Sequence, residues 1–452
     1  MTQTELTPTA TRTGKWKPYP DYKDSGVEWL GEIPAHWKVK RLKFVAPSST
    51  AKLTEKPDDL PYLGLENIES QTGRLLLDTP IENVESTVGL FNKGNVIFGK
   101  LRPYLAKVVC VDFSGVCTTE LLVLQPNALV NGKFLFYRLL SKDFIKLVNS
   151  LTYGTKMPRV SSEQIGNLPI SLPPLAEQRA IDSFLDRETA RINTFIAKKK
   201  RLIELLQEKR AALISHAVTK GFDPTVPMKD SGVEWLGDIP AHWEVKRLKF
   251  CLDSIEQGWS PTCENRPAEL DEWGVLKVGC VNGVKFNPDE NKALPAEMQP
   301  IPELEIKQGD VLVSRANTRE LLGSASVVTK VRPHLLLCDK LYRLYILPKT
   351  VNPTYLVLAM GSSIIRFQLE RDATGASNSM QNISQGTILN LAIPLPDMLE
   401  QHAIVAHLNI ETAKIDALIS RIRDGTEKLK EYSSALISAA VTGKIDVRGE
   451  TA

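Results

Sequence analysis

The sequence predicts an α+β fold that is built twice: two mixed α/β domains, each followed by a long helix, with the two helices paired. Three observations support this prediction. A segment that begins at Lys23 returns at Lys229 with two substitutions, and a second pair of matching segments begins at Leu172 and Leu395. Strand-like runs fill the segments between these landmarks, and a helical periodicity follows each second landmark.

The composition is that of a soluble globular chain. Its 452 residues are 42% hydrophobic and 24% charged, so the chain is long enough for more than one core. The net charge is only +3, so any nucleic-acid surface must come from local clusters of Lys and Arg. No apolar run approaches the roughly 20 residues that a membrane span needs. We therefore expect a cytoplasmic protein with no membrane partner.

The first landmark opens each domain. Residues 1–22 are rich in Thr and Pro and are expected to form a disordered tail, so that the first domain covers residues 23–171. The repeated segment carries Trp29, Trp37, Trp235, Trp243, His36 and His242. Because these residues are identical in the two copies, they cannot tell two ligands apart. Core or subunit packing is therefore favoured over base stacking for the tryptophans, and a structural role is favoured for the histidines.

The middle segments differ in sequence but share a pattern. Strand-like runs are expected at residues 95–100, 106–113, 120–126, 310–315, 325–331 and 340–348. A helix is expected to open at Asn131 and another at Asn352, where Asn can cap the first turn. The offset between copies grows from 206 to 223 residues, so the second middle is 17 residues longer. The second domain is predicted to cover residues 223–394.

The second landmark opens a long helix in each copy, over residues 172–222 and 395–446, which leaves a short tail at 447–452. Apolar positions step by four and three from Ile181 and from Ile404, which predicts a heptad seam. Pairing the two helices would bury both seams. Glu177-Gln178 and the matching Glu400-Gln401 could cap the helix start or contact a partner, and the structural role is favoured.

The sequence lacks the common catalytic motifs. It has no GxxxxGK(S/T) phosphate loop and no Asn/Asp-Pro-Pro-aromatic motif for holding a flipped base. The six cysteines form no CxxC pair and do not combine with histidines at metal-ligand spacing, which predicts buried thiols. The one nuclease-like string, PDENK at residues 288–292, is too compact for a PD…(D/E)xK metal site. We therefore expect neither catalytic residues nor a metal site in this chain.

The duplicated motifs resemble the specificity subunits of type I restriction-modification systems. The resemblance rests on GVEWLGEIPAHW, on P(P/D)xxEQxAI and on a helix that ends in ALISxAVT, each present twice. It implies that each middle segment is a target recognition domain for half of a bipartite, asymmetric double-stranded DNA site. It also implies that the two helices form an antiparallel coiled coil, which spaces the two domains.

The same resemblance implies partners and cofactors. Two methyltransferase subunits would dock on the chain, and motor-nuclease subunits would join them. S-adenosylmethionine, ATP and magnesium would then belong to those partners, with no cofactor in this chain and no catalysis by it.

DNA-reading residues are sought where the two copies differ. Arg and Lys suit guanine or phosphate, and Asn and Gln suit adenine, when they lie on loops. In the first domain the candidates are Lys100, Arg102, Tyr104, Lys107, Lys156 and Arg159. In the second they are Arg315, Asn317, Arg319, Asn378, Gln381 and Asn382.

Two other hypotheses remain open at this point. One is a self-sufficient site-specific endonuclease that uses the PDENK segment, and the other is a duplicated coiled-coil scaffold with no DNA role. The motif search argues against the first. Divergent middles between nearly unchanged landmarks argue against the second.

Overall fold

The computed structural model describes residues 16–57, 59–76, 87–283, 285–377 and 380–449. Within these ranges the helices are α1 (Gly132–Leu140), α2 (Lys142–Ser150), α3 (Ser162–Asn167), α4 (Leu175–Lys220), α5 (Pro353–Met360), α6 (Ser363–Arg371), α7 (Gln385–Leu389) and α8 (Met398–Val441). In this part of the chain no helix combines the length and apolar character that crossing a bilayer requires.

The strands of the described residues are short and form two series, one before α4 and one after it. The first series is β1 (Tyr22–Asp24), β2 (Glu32–Pro34), β3 (Lys38–Arg41), β4 (Lys52–Leu53), β5 (Tyr62–Leu63), β6 (Val88–Phe91), β7 (Val96–Gly99), β8 (Val108–Cys110), β9 (Gly115–Thr118), β10 (Leu121–Leu124) and β11 (Pro169–Leu172). The second is β12 (Met228–Asp230), β13 (Asp238–Pro240), β14 (Glu244–Arg247), β15 (Leu252–Gln257), β16 (Gly274–Leu276), β17 (Asn291–Ala293), β18 (Val311–Ser314), β19 (Ala316–Asn317), β20 (Ala325–Val327), β21 (Leu335–Leu336), β22 (Leu341–Ile346), β23 (Thr374–Ser377), β24 (Met380–Asn382) and β25 (Ala392–Leu395).

The chain divides into two compact units that differ from its linear segments. Unit 1 combines residues 1–199 with 423–452, and unit 2 is residues 200–422. Each unit therefore holds one mixed α/β domain, the first part of one long helix and the last part of the other. The expected division into separate domains and helices describes the order along the chain, but it does not describe these compact units.

Both domains use the same central sheet. In unit 1 the strand order is β10-β7-β8, and in unit 2 the equivalent strands lie in the order β22-β18-β20, with β15 added beside β22. All of these neighbours are antiparallel. The strand-like runs of the middle segments thus fold as predicted, and one scaffold carries two different sequences.

The helices that follow these sheets begin where the sequence predicts. The side chain of Asn131 accepts from the backbone N of Phe134 and caps α1. Asn352 accepts from the backbone N of Thr354 and of Tyr355 and caps α5, whose first residue is a proline. Each cap satisfies N–H groups that lack a partner within the helix, which fixes the helix start.

In unit 1 the two landmarks of the repeat meet at one carboxylate. Glu177, at the start of α4, accepts from Trp37 Nε1 at 2.9 Å and from the Tyr19 hydroxyl at 2.5 Å. Its other oxygen lies 2.7 Å from His36 Nε2. Glu177 is 6% exposed and Trp37 is fully buried. Burial raises the pKa of Tyr19, and the hydrogen bond to Glu177 raises that pKa further.

Unit 2 repeats this arrangement. Glu400 accepts from Trp243 Nε1 at 2.9 Å and lies 2.8 Å from His242 Nε2. The neighbouring glutamine has its own structural role, because Gln401 Oε1 accepts from the backbone N of Asn352 at 2.7 Å. Gln178 makes the same bond to Asn131 in unit 1. These contacts support the structural role that we favoured for the Glu-Gln pairs.

The outer tryptophans are less buried than the inner ones. Trp29 is partly buried against the core of unit 1, with the Arg138 guanidinium 4.9 Å from its ring. Trp235 is 37% exposed, and Arg371 covers it at the same distance. Packing therefore accounts fully for Trp37 and Trp243, and only in part for Trp29 and Trp235.

The repeated ALISxAVT segment attaches each domain to the end of a long helix. In unit 1 the backbone N of Lys142, at the start of α2, donates to Ser438 Oγ at 3.1 Å. In unit 2 the backbone N of Ser363, at the start of α6, donates to Ser215 Oγ at 3.0 Å. Each domain is thus held by the start of the helix that follows it and by the end of the other helix.

The two long helices contact each other within unit 2, where Arg210 pairs with Asp416 at 3.2 Å. Ile214 and Ile404 also belong to the same hydrophobic core. The predicted heptad seam is wrong in register over part of both helices. Positions 195, 202, 209, 418 and 432 are exposed, whereas the residues that follow them are less exposed. At the start of both helices the least exposed positions follow one another at intervals of four, four and three residues. This spacing stays on one face of a straight helix better than a heptad spacing does.

The expected disordered tail is too long by seven residues. Trp16 and Tyr19 are 8% and 2% exposed and belong to the core of unit 1. The backbone O of Lys17 accepts from Asp446 N at 2.7 Å. Residues 16–22 therefore pack beside the segment that follows α8, because their aromatic rings bury apolar area there. Residues 1–15 lie outside the described part of the chain.

The cysteines are free thiols, as expected. Cys117, Cys251, Cys280 and Cys338 are buried, and Cys110 and Cys263 are half-buried. Burial raises the pKa of Cys117 and that of Cys338 to about 12.

Candidate nucleic-acid interface

In unit 1 the two loops that carry the predicted reading residues lie side by side. The turn that follows β7 begins at Lys100, and the backbone O of Lys100 accepts from Val160 N at 3.2 Å. The backbone N of Arg102 donates to Pro158 O at 2.7 Å. Candidates that are more than 50 positions apart in sequence thus share one surface.

Arg102, Tyr104, Lys156 and Arg159 are the exposed candidates on this surface. Arg102 has a φ of +49° and Ala106 has a φ of +48°, and they enclose the short turn Pro103–Leu105. Left-handed backbone at two non-glycine residues is uncommon and persists only where the surroundings hold it. The turn therefore presents Arg102 and Tyr104 on a constrained backbone.

Lys107 is already engaged within the domain. Its Nζ donates to Leu65 O at 2.6 Å and to Ile68 O at 2.8 Å. Burial also lowers the pKa of this ammonium group. These contacts favour a structural role for Lys107, in which it holds the 65–68 loop.

Lys100 and Arg159 flank an acidic side chain. Arg159 Nη2 lies 2.9 Å from Glu120 Oε1. Burial lowers the pKa of Lys100, and the nearby Glu120 opposes this effect. The first candidate surface therefore contains a carboxylate that is partly exposed between two cations.

Unit 2 brings its two loops together in the same way. β19 pairs with β24 in the register Ala316↔Asn382 and Asn317↔Gln381. The backbone O of Arg315 accepts from Ile383 N at 3.0 Å. Asn378 lies outside the described residues, so its predicted role has no structural counterpart here.

The candidates of unit 2 differ in how free their side chains are. Asn317 is 9% exposed and its Nδ2 donates to Asn282 Oδ1 at 2.9 Å, which favours a structural role. Arg319 is exposed and lies 3.3 Å from Glu370. Arg315 is half-buried and donates to Asp339 O at 3.3 Å.

Gln381 is the least satisfied candidate. Its Oε1 is buried and, among the described residues, has no hydrogen-bond partner. A buried acceptor without a partner is unfavourable by about 1–3 kcal/mol. Among the described candidates of unit 2, Gln381 therefore has an amide oxygen that could accept a hydrogen bond from an external donor.

Comparison of the two surfaces reveals a position that the sequence reasoning missed. The backbone N of Lys100 donates to Glu120 O at 3.0 Å, and the backbone N of Arg315 donates to Lys340 O at 2.8 Å. Glu120 and Lys340 are thus structurally equivalent and carry opposite charges. Each is the first residue of a strand-like run in the sequence. The reversal of charge between the two copies becomes visible only when these runs are aligned.

The PDENK segment is part of a loop framework. Glu290 lies 3.7 Å from Lys277, and the side chain of Asn291 is buried and accepts from the backbone N of Ala268. No group of three or more His, Cys, Asp or Glu side chains with metal-binding geometry occurs in the part of the chain that the structure describes. These contacts give Glu290 and Asn291 structural roles.

Several known proteins have sequences similar to this chain. Residues 34–205 match the family model described as the type I restriction modification DNA specificity domain. The EcoEI specificity subunit of Escherichia coli is 23% identical over 434 residues, which cover 78% of this chain and 73% of that protein. The MjaVIII specificity subunit of Methanocaldococcus jannaschii is 26% identical over 440 residues, covering 92% and 94%.

The fold is also found among solved structures. A chain from a study of complex assembly and conformational transition of the type I R-M system aligns with a TM-score of 0.64 at 22% identity. The alignment covers 90% of this chain and 98% of that chain. The mixed α/β domains with long helices are therefore a known architecture.

Proposed function

Since the chain belongs to the specificity subunits of type I restriction-modification systems, we propose that it reads an asymmetric bipartite DNA site with its two domains. As a specificity subunit it is non-catalytic. Residues 23–171 would read one half of the site and residues 223–394 the other. We further propose a cytoplasmic location, where the DNA lies.

One observation carries this proposal. The two domains share a scaffold and bring equivalent loops together, but those loops present different side chains. Lys100 and Arg315 occupy equivalent positions in the two domains. Their backbone partners, Glu120 and Lys340, carry charges of opposite sign. Base edges in the major groove are distinguished by such differences in donors and acceptors. Two domains with different loops would therefore read two different half-sites.

A domain exchange tests the proposal. Residues 252–390 would be replaced by the matching segment of a relative that has a different methylation site. We expect one half-site to change and the other to remain as in the parent, because the first domain is untouched. Methylome sequencing of host cells gives both half-sites directly. A change in both half-sites, or in neither, would contradict the modular reading of DNA.

We also propose the partners of the chain. Two methyltransferase subunits would dock on it, because its landmarks occur twice, and motor-nuclease subunits would join the complex. S-adenosylmethionine, ATP and magnesium would be bound by those partners. Light scattering of the reconstituted complex tests the stoichiometry, and a stable mass with a single methyltransferase would count against two docking sites.

A further inference from the structure

One repeated surface is explained neither by packing within a unit nor by half-site discrimination. In unit 1, β3 leads into the short turn Leu42–Phe44, and Phe44 is 60% exposed. In unit 2, β14 leads into Leu248–Phe250, and Phe250 is 62% exposed. A large apolar ring left in solvent at the equivalent position of both copies indicates a contact with another molecule.

A lysine ammonium group lies over each of these rings. The Lys43 ammonium lies 5.4 Å from the centroid of the Phe44 ring, and the Lys249 ammonium lies 5.0 Å from that of Phe250. We define the basic strip as Lys40, Arg41, Lys43 and Phe44 in unit 1 and as Lys246, Arg247, Lys249 and Phe250 in unit 2.

The cations of the unit 1 strip are not neutralised by the domain itself. Within the described ranges, no acidic side chain forms an ion pair with Lys40, Arg41 or Lys43. Arg41 and Lys43 are exposed. The strip therefore presents positive charge that is available to an external anion.

The structural work of the segment is done by another residue. Leu42 is fully buried, and its backbone N donates to Leu168 O at 2.9 Å. Leu248 is likewise fully buried and donates to Leu391 O at 2.9 Å. The strip can therefore be altered at its exposed side chains without removing the anchor of the turn.

In each unit, one short helix connects the residue that anchors the strip to the candidate reading loops. Leu168 directly follows α3, and α3 begins just after Val160, where the hairpin with Lys156 and Arg159 ends. In unit 2, Leu391 follows α7, which begins just after the loop of Gln381 and Asn382. Each strip is thus separated from the reading loops by one short helix.

We propose that the two basic strips bind the phosphodiester backbone of duplex DNA without regard to sequence. This inference rests on the proposed function and deepens it. Identical residues cannot discriminate between two half-sites, but they suit the phosphates that every DNA sequence presents. Lys and Arg supply the counter-charge, and the exposed phenylalanine packs against deoxyribose. Such contacts set the register in which the loops meet the bases.

The two copies contain a natural difference that sharpens the proposal. Lys38 of unit 1 is replaced in unit 2 by Glu244, which pairs with Lys246 at 2.8 Å. This pair neutralises one cation of the strip in unit 2. The strip of unit 1 should therefore contribute more to DNA affinity, and Glu244→Lys should strengthen the strip of unit 2.

The test measures the affinity of the full chain, assembled with its methyltransferase subunits, for the cognate duplex and for a scrambled duplex. Lys43→Gln should weaken binding of the cognate duplex and of the scrambled duplex by the same factor. Lys249→Gln should likewise affect the two duplexes equally. Each lost phosphate contact lowers the slope of log affinity against log salt by about 0.9, which is about 3.5-fold in affinity over a fourfold change in salt. Glu244→Lys should raise affinity for both duplexes, and Lys38→Glu should lower it.

Lys414→Gln, on an exposed face of α8, serves as the matched control and should leave the slope unchanged. A loss confined to one base position would overturn the proposal, and so would unchanged slopes in all four variants in or beside the strips. If the variants assembled poorly with the methyltransferase subunits but the assembled complexes bound DNA normally, the strip would instead be a protein-docking surface. If the unaltered complex did not discriminate between the duplexes, the proposed function would fail, whereas uniform losses would still support the strip.

Discussion

Trp37 donates its indole N–H to Glu177 at 2.9 Å, across 140 positions of the chain. The contact joins the landmark that opens the first domain to the one that starts α4. Trp243 and Glu400 form the same bond in unit 2. Because the two partners lie at opposite ends of each domain, this bond closes the domain onto the helix that follows it.

Removal of this carboxylate should affect the two units unequally. Glu177→Ala leaves the buried donors of Trp37 and Tyr19 without an acceptor, which should cost about 1–3 kcal/mol for each. Glu400→Ala should cost less, because the Glu400 side chain is 25% exposed and water can replace it. Hydrogen exchange, resolved by peptide, measures the two units separately. Equal losses of protection would contradict the role of burial.

Reversal of the charge at Glu120 or at Lys340, the equivalent positions of the two domains, should alter the sequence preference for one half-site and leave the other unchanged. Glu120→Lys should change the preference of the first domain, and Lys340→Glu that of the second. A carboxylate accepts from cytosine N4, whereas an ammonium donates to guanine, and each such contact contributes about 1–3 kcal/mol of discrimination. Competition binding with single-base variants of each half-site is the measurement. A uniform loss over all variants would instead identify a phosphate contact.

Two neighbouring cations of unit 1 should behave differently. Arg102→Ala should weaken DNA binding and leave stability nearly unchanged, because the Arg102 side chain is exposed. Lys107→Met should lower the free energy of unfolding, because it leaves the backbone oxygens of Leu65 and Ile68 without this donor. Denaturant unfolding and DNA titration of both variants separate the two effects. Loss of binding in a fully stable Lys107→Met variant would restore it as a reading residue.

Two equivalent glycines after the long helices provide a test of close packing. Gly443 has a φ of +76°, and a Cβ there would overlap the ring of Pro34, so Gly443→Ala should destabilise unit 1. Gly221 has a φ of +71°, but its added Cβ would lie 3.5 Å from Trp243, an ordinary contact. Gly221→Ala should therefore cost only the backbone strain of about 1–2 kcal/mol. A smaller loss at Gly443 than at Gly221 in thermal unfolding would contradict this packing.

The sequence by itself determined the duplicated architecture. Nearly identical segments that begin at Lys23 and Lys229 establish the repeat, and short β-rich runs bounded by turns indicate the strands, because both signals are local in the chain. The caps at Asn131 and Asn352 were equally readable, since a capping side chain acts on backbone groups only two or three positions away.

Only the tertiary structure decided which distant groups meet. The bond of Trp37 to Glu177, the anchoring of Lys107 and the equivalence of Glu120 with Lys340 each depend on loops that are far apart in sequence. The buried stripe of the long helices was also misread from a heptad template, because a helix turns every 3.6 residues and its exposed side is set by the partner it packs against. Periodicity determines the secondary structure of a segment. Burial and hydrogen bonding across the fold determine which of its side chains remain free to bind.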